Sequence, residues 1–496
     1  PDIETQPILS VRNARKLLQT GRVHIDAMTR YSRATTLAFS MSFTVVLVTG
    51  CGGDGSDGPR TAQSLAATPT LTLVANSSAG FVAPDASLTE TQRHLALATA
   101  NAGNSSNVSD APAGGSAALY DPTSIRPQWC WGAENTSSPP GLSDGTVVAP
   151  VKMFDNLWAF GYRNVLQYAF KADNGKAFLI DTLNNSSDAQ SITVPGLTAM
   201  GLSGSALEGA LVTHGHPDHY GGAGYLQTTY GTPTYMGSAD ASVGQSSVPK
   251  FTVTSIDSSN LQPQQKDFGS LSMTLLSTPG HTAGTVSAIV SARISNTTYQ
   301  LAILGGAGFP STLSLAQQYQ DSVERMYSLA ATNKISGTIQ AHAFIDGSLA
   351  KLDSLTKNPA SYSTANPFLI GNALAMRSLA VVRECAAAKV AQLNTSASIA
   401  AWHVTQIRTT AAAQSGAVLA SAVVSNPFGY LQNASVKFTV SPTGESCTAY
   451  TNSSGQASCT LTPTSTSGIT VTAAFSQANL ADGSVELASS GTVTVK

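Results

Sequence analysis

Three imidazoles and a carboxylate fall within the six residues His214-Gly215-His216-Pro217-Asp218-His219, in a chain that holds only eight histidines. An apolar run, Ala210-Leu211-Val212, precedes them and reads as the end of a buried β-strand. A chain leaving a strand in a tight loop can aim His214 and His216, two residues apart, at one ion. Asp218 and His219, at the start of the helix that follows, can then face a second ion close by. Imidazole and carboxylate donors without thiolate suit zinc or a similar first-row metal.

The order His-x-His-x-Asp-His resembles the signature of the metallo-β-lactamase superfamily. The resemblance implies an α/β fold, two sheets packed between helices (αββα), and a centre for two zinc ions. It also assigns two later ligands. Thr278-Pro279-Gly280-His281-Thr282 follows an expected strand, Leu271–Ser277, and matches the family's Pro-Gly-His-Thr loop, so His281 completes the first site. A β-like run from Ile335 to Gln340 delivers His342, which takes the last place in the second site. A lone histidine is more often a hydrogen-bonded core or surface residue, and His24, His94 and His403 are read that way.

One departure from the pattern is informative. Glyoxalase-II-like and lactonase-like members carry a strand ending in Gly-Asp, whose aspartate bridges both metals. In Leu301-Ala302-Ile303-Leu304-Gly305-Gly306, Gly306 stands at that place. The remaining set, His214, His216 and His281 beside Asp218, His219 and His342, is similar to that of subclass B3 metallo-β-lactamases. The resemblance therefore implies a hydrolase of an amide or lactam bond. Zinc lowers the pKa of bound water from ~15.7 towards ~7, and Asp218 is the catalytic residue that orients the hydroxide and can shuttle its proton. The same fold also serves ester, thioester, lactone and phosphoester hydrolases. A reading of a different class, an envelope binding protein with a non-catalytic metal site, has the complete ligand set against it. No convincing Gly-x-Ser-x-Gly nucleophile elbow is present.

The elements that must position these residues begin near Trp129-Cys130-Trp131. Residues 151–182 read as strands, with Asp173-Asn174-Gly175 as a hairpin signal. Leu197 to Leu207 reads as a helix leading into the strand before His214. Leu313 to Ala331 carries apolar residues at 315, 319, 323, 326 and 330, the spacing of an amphipathic helix, and a second helix spans 372–393. Together these define a hydrolase domain over 116–400.

From 401 to 496 the texture changes to alternating runs, 417–424, 434–440, 457–461, 469–475 and 491–496, separated by turn residues. This is a small all-β sandwich, and its Gly429–Phe438 and Thr451–Ala457 segments resemble bacterial Ig-like domains of the invasin/intimin type. It is a candidate spacer, brace or module for a cell-surface or protein ligand.

The amino-terminal part carries a different message. Met28, Arg30 and Arg33 precede an uncharged run from Ala34 to Gly50, the layout of a secretory signal. That run is 17 residues long, short of the ~20 that span a bilayer. It ends in Val48-Thr49-Gly50-Cys51, which resembles the bacterial lipobox, so Cys51 is the expected lipid-bearing residue and the membrane partner. Residues 28–51 are thus a lipoprotein signal, 1–27 an upstream extension and 52–115 a flexible linker with room for one short helix around Leu88–Ala98. The expected location is the cell envelope, on an outer-membrane lipoprotein facing the periplasm or at the cell surface. Charged residues make up 11% and the formal net charge is −2, so there is no electrostatic footprint for nucleic acid. A small molecule is the expected substrate. Cys447 and Cys459 can form a cross-strand disulfide in an oxidising compartment, leaving Cys130 and Cys385 as a second pair.

Overall fold

Near-continuous apolar runs build the middle of the molecule, because each strand there must satisfy two cores at once. The computed structural model describes residues 68–76, 80–103, 122–135 and 137–495; the extension 1–27, the signal 28–51 and Cys51 lie outside them. In strands Leu271–Ser277, Val286–Ile294 and Thr297–Ile303, adjacent residues part company. Leu275, Ala288 and Leu301 enter a core between two sheets, while Leu276, Ile289 and Ala302 enter a core under helices. The period of two in strand side chains makes this split automatic.

The first sheet has seven strands in sequence order, from Val147–Phe154 to Val253–Ile256. Its first four are antiparallel and its last three, beginning with Leu207–Leu211, are parallel. The second sheet holds five strands, with Thr297–Ile303 between Val286–Ile294 and the parallel Gly337–Ile339. Phe154, Tyr168, Phe170, Phe178 and Leu211 meet Val286, Val290 and Ile303 across the gap. Burying each large side chain stabilises the fold by about 1.5–3 kcal/mol. Outside the first sheet, Ile192, Leu197 and Leu226 cover Phe160, Ala169 and Ala210. Outside the second, Val323, Met326, Leu379 and Val382 cover Ile289 and Ala302. The layers are therefore αββα, as expected.

The two long helices run Leu313–Thr332 and Asn372–Leu393, the second over the expected residues. The expectation of a helix from Leu197 to Leu207 is corrected. The helix is Val194–Ala199, and Leu207 already begins the parallel strand because it must pair with Ala177.

The flexible-linker reading of 52–115 is corrected in two stretches. Thr72–Ala75 is a strand paired with Gly429–Gln432 of the carboxyl-terminal sandwich. Glu90–Ala102 is a helix opened by a capping box between Thr89 and Gln92. Its small residues Ala98 and Ala102 let it lie close against the Asn372–Leu393 helix, a kind of burial that a count of large apolar residues overlooks. Polar locks add to it. His94 meets Glu384 with both side chains fully buried, and the Ile399 N–H donates to Glu90 at 2.8 Å. The hydrogen bond from Arg93, opposed by burial, holds the Glu90 carboxyl down at about 2, against 4.5 for a free group. Because the folded pKa is the lower one, this contribution is complete above about pH 4.5 and lost as pH falls towards 2. Amide exchange across 90–102 should accelerate in that window, and Glu90→Gln should remove this pH step.

The carboxyl-terminal part is a sandwich of a five-stranded and a four-stranded sheet around Val418, Val424, Val436, Phe438, Val471 and Phe475. Two of its strands, Gln406–Gln414 and Ser446–Tyr450, lie outside the expected runs, since neither contains a fully buried residue. Cys447 and Cys459 are bonded, their Cα atoms 6.4 Å apart, yet their strands belong to opposite sheets. The bridge thus joins the two sheets and is not a cross-strand pair within one. Cys130 and Cys385 are bonded as well, with Cα atoms 4.7 Å apart, which pins the Pro122–Glu134 helix to the second long helix.

The boundary expected at 400/401 runs through shared packing. Trp402 and Leu487 are buried in the helical core of the hydrolase part, and residues 68–496 form one compact unit. No helix among the described residues is long and apolar enough to cross a membrane.

Candidate metal centre

The loop after Leu207–Leu211 leaves the sheet at Val212 and turns into a short helix, Pro217–Tyr220, whose N-cap is His216. This puts His214 and His216 on the loop and Asp218 and His219 on the helix. The His281 loop approaches from the second sheet after Leu271–Ser277. Its Gly280 sits at φ 142°, with Tyr319 backbone atoms 2.5–2.6 Å from where a Cβ would lie, so only glycine can make that turn. His342 enters just beyond Gly337–Ile339, held by Leu166 N–H donating to the Ala341 carbonyl and Tyr168 O–H donating to the Gln340 carbonyl.

The six residues singled out from the sequence come together as two groups. His214 Nε2, His216 Nδ1 and His281 Nε2 stand 3.1 Å from one another on all three sides. His219 Nε2 and His342 Nε2 are 3.3 Å apart, each 3.5 Å from Asp218 Oδ2. The groups adjoin, with the His214 and His219 rings 4.0 Å between centroids.

The outer nitrogens say what these triangles are. His214, His281 and His342 each turn Nδ1 to a carbonyl oxygen, of Gly305, Gly308 and Asn164, at 2.9, 2.6 and 2.6 Å. His219 turns Nδ1 to the Asp181 carboxylate at 2.8 Å. A carbonyl or carboxylate accepts only, so each Nδ1 carries the hydrogen, and in the neutral ring each Nε2 then presents a bare lone pair. Lone pairs facing each other at such distances repel unless a cation lies among them. Donors about 2.0–2.1 Å from a tetrahedral zinc lie about 3.3–3.4 Å apart, close to the spacings here. The donor sets therefore fit metal ions, with His214, His216 and His281 as one set and Asp218, His219 and His342 as the other.

Electrostatics keep most of these rings neutral. Burial, reinforced by the neighbouring imidazoles, pushes His214 well below the usual histidine range and His281 down to about 3. Burial also lowers His216 and His342. For His219 burial acts the same way, but the charge and hydrogen bond of Asp181 outweigh it and raise the group.

Two carboxylates that the sequence reading did not single out hold the loops. Asp181, fully buried, accepts from Thr213 N–H at 2.8 Å, from the Thr213 hydroxyl and from His219. Asp240 accepts from Gly215 N–H, the Thr282 hydroxyl and Gly284 N–H at 2.8, 2.5 and 2.9 Å, tying the His216 loop to the His281 loop. The signal for Asp181 was its place at the end of an apolar strand, as Leu179-Ile180-Asp181. Asp240 lies in a polar stretch and carried none.

Gly306 packs directly on His281: a Cβ at Gly306 would lie 2.4 Å from His281 Cβ and 2.5 Å from its Cγ. No side chain fits there while His281 keeps its place. His94 and His403 lie apart, in buried pairs with Glu384 and Glu486. His24 lies outside the described residues.

Residues 161–296 match the family model of the metallo-beta-lactamase superfamily, and the chain carries a domain of that superfamily. It is, on that footing, a metal-dependent hydrolase; the family generally binds metal, usually zinc. Among solved structures, BJP-1, a subclass B3 metallo-beta-lactamase of Bradyrhizobium japonicum, is 18% identical, with a TM-score of 0.40 over 47% of this chain and 90% of that one. FEZ-1, a metallo-beta-lactamase from Legionella gormanii, is 19% identical, with a TM-score of 0.39 over 48% of this chain and 92% of that one. No curated protein matches.

Proposed function

We propose that this protein is a binuclear zinc hydrolase that opens an amide or lactam carbonyl, and that it works in the bacterial envelope on a lipid anchor at Cys51. The observation that carries the catalytic part is the set of four imidazoles whose Nε2 lone pairs are turned inward by carbonyl or carboxylate partners. Zinc, when bound, supplies Lewis acidity and makes hydroxide available near neutral pH. His214, His216 and His281 would hold one ion, and Asp218, His219 and His342 the other. The Asp218 side chain is 31% exposed, so its carboxylate can hold a proton from the attacking water while remaining within reach of solvent. Asp181 keeps the His219 ring in one tautomer, and Asp240 keeps the two loops of the first set in register. The closure of position 306 by His281 favours a B3-like centre over one with a bridging aspartate.

The test uses the full chain. Bound zinc should be about two equivalents, and nitrocefin turnover should disappear with chelator and in His216→Ala. Two zinc ions with turnover of esters or lactones alone would replace the amide or lactam assignment. Zinc-free protein that turns over no carbonyl substrate would leave the envelope-binding reading.

A further inference from the structure

The Leu313–Thr332 helix contributes none of the six donor residues, yet two of its buried side chains bear on one of them. Tyr319 and Ser322, one turn apart, reach the two backbone segments that fix His281. The Ser322 hydroxyl donates to the Pro279 carbonyl at 2.7 Å, two residues before His281. Arg325 donates to the Ser322 oxygen at 2.8 Å, which leaves the Ser322 hydrogen for Pro279. The Tyr319 backbone lies so close to Gly280 that no Cβ would fit between them. The Tyr319 hydroxyl crosses to the second segment and donates to the Gly306 carbonyl at 2.7 Å. Its ring meets Phe309 edge-on, with centroids 5.1 Å apart. Between those two contacts lies Gly308, whose carbonyl accepts from His281 Nδ1–H at 2.6 Å.

A ligating histidine needs its backbone at the right place and its ring at the right angle, and the second depends on the acceptor behind Nδ1. Ser322 and the Tyr319 backbone set the first, and the Tyr319 side chain sets the second. Apolar packing in the helical core would be served as well by phenylalanine at 319. The hydroxyl answers a different need. Without it the buried Gly306 carbonyl would lose its donor, and Gly305-Gly306-Ala307-Gly308 has no side chain beyond Cβ with which to hold itself in place. We propose that Tyr319 is a positioning residue of the metal centre. Through the Gly306–Phe309 segment it keeps the Gly308 carbonyl on His281, and so holds His281 in its set with His214 and His216. This role rests on the zinc-hydrolase reading of the centre.

Metal titration of the full chain tests this, with zinc read by affinity and cobalt(II) by its visible bands, which follow the donors around it. Tyr319→Phe keeps the ring and deletes only the O–H. One of the two ions should bind about tenfold more weakly than in the parent, with altered bands for the three-histidine set, while the other binds as before. Ser322→Ala, acting from the other side of His281, should show the same selective loss to a smaller degree, and it decides the matter alone if Tyr319→Phe does not fold. Equal affinities and bands in parent and variants would overturn the proposal. So would equal weakening of both ions, the mark of a general loosening. A parent that binds no metal would overturn the zinc reading itself, and the parent's own titration shows that before any variant is compared.

Discussion

Gly306→Asp should dismantle the His214–His216–His281 set. The new Cβ would lie 2.4 Å from the His281 Cβ, far inside contact distance, and neither side can yield cheaply. His281 is anchored by its Nδ1–H to the Gly308 carbonyl, and Gly306 is anchored through its own carbonyl, which accepts from the buried Tyr319 hydroxyl at 2.7 Å. An aspartate at the place where related enzymes carry a bridging ligand should therefore remove a ligand and add none. Zinc affinity of the first set and chelator-sensitive turnover should each fall by about 100-fold or more. Gly306→Ala should show most of the same loss, because the clash is at Cβ and not at the carboxylate. If Gly306→Asp bound zinc at the parent's stoichiometry and turned over as the parent does, the packing argument would be wrong.

Asp181→Ala should produce the second large effect, acting on both structure and metal. It removes a fully buried acceptor and strands Thr213 N–H and His219 Nδ1–H in the interior. Buried donors left unpaired cost about 1–3 kcal/mol each, so a stability loss of about 2–5 kcal/mol is expected. His219 also loses the partner that fixes its tautomer, which should weaken metal binding by the Asp218, His219 and His342 set about 10- to 100-fold. Asp181→Asn separates the two effects. Its carbonyl can still accept from Thr213, so most of the stability should return. A neutral amide no longer favours the charge distribution of a ligating His219, so zinc affinity should recover only in part. Thermal unfolding and equilibrium zinc titration read the two separately. Full recovery of zinc affinity in Asp181→Asn would reduce Asp181 to a hydrogen-bond acceptor for the loop.

The sequence was most legible where the chemistry is local. His214, His216, Asp218 and His219 are placed by one strand end and one helical turn, so their spacing already encodes their geometry. The Leu313–Thr332 helix was legible because burial on one face imposes a period close to 3.6. The Glu90–Ala102 helix was expected as a short one around Leu88–Ala98, but its docking was not legible, since that rests on alanines and on a buried His94–Glu384 pair 290 residues apart in the chain. The same holds for Thr72–Ala75, a strand whose only strand partner among the described residues is Gly429–Gln432.

By itself the sequence grouped His214, His216, Asp218 and His219 through short-range spacing, and its resemblance to the metallo-β-lactamase superfamily implied His281, His342, the αββα frame and a glycine, Gly306, at the place of a bridging aspartate. Only the tertiary structure decided which nitrogen of each histidine faces inward, since Gly305, Gly308 and Asn164 reach those rings from distant strands and loops. It alone brought Asp240 against two loops and joined the sandwich to the helical core through Trp402 and Leu487. Contacts between segments far apart in sequence leave no periodicity to read, so they appear only once the chain has folded.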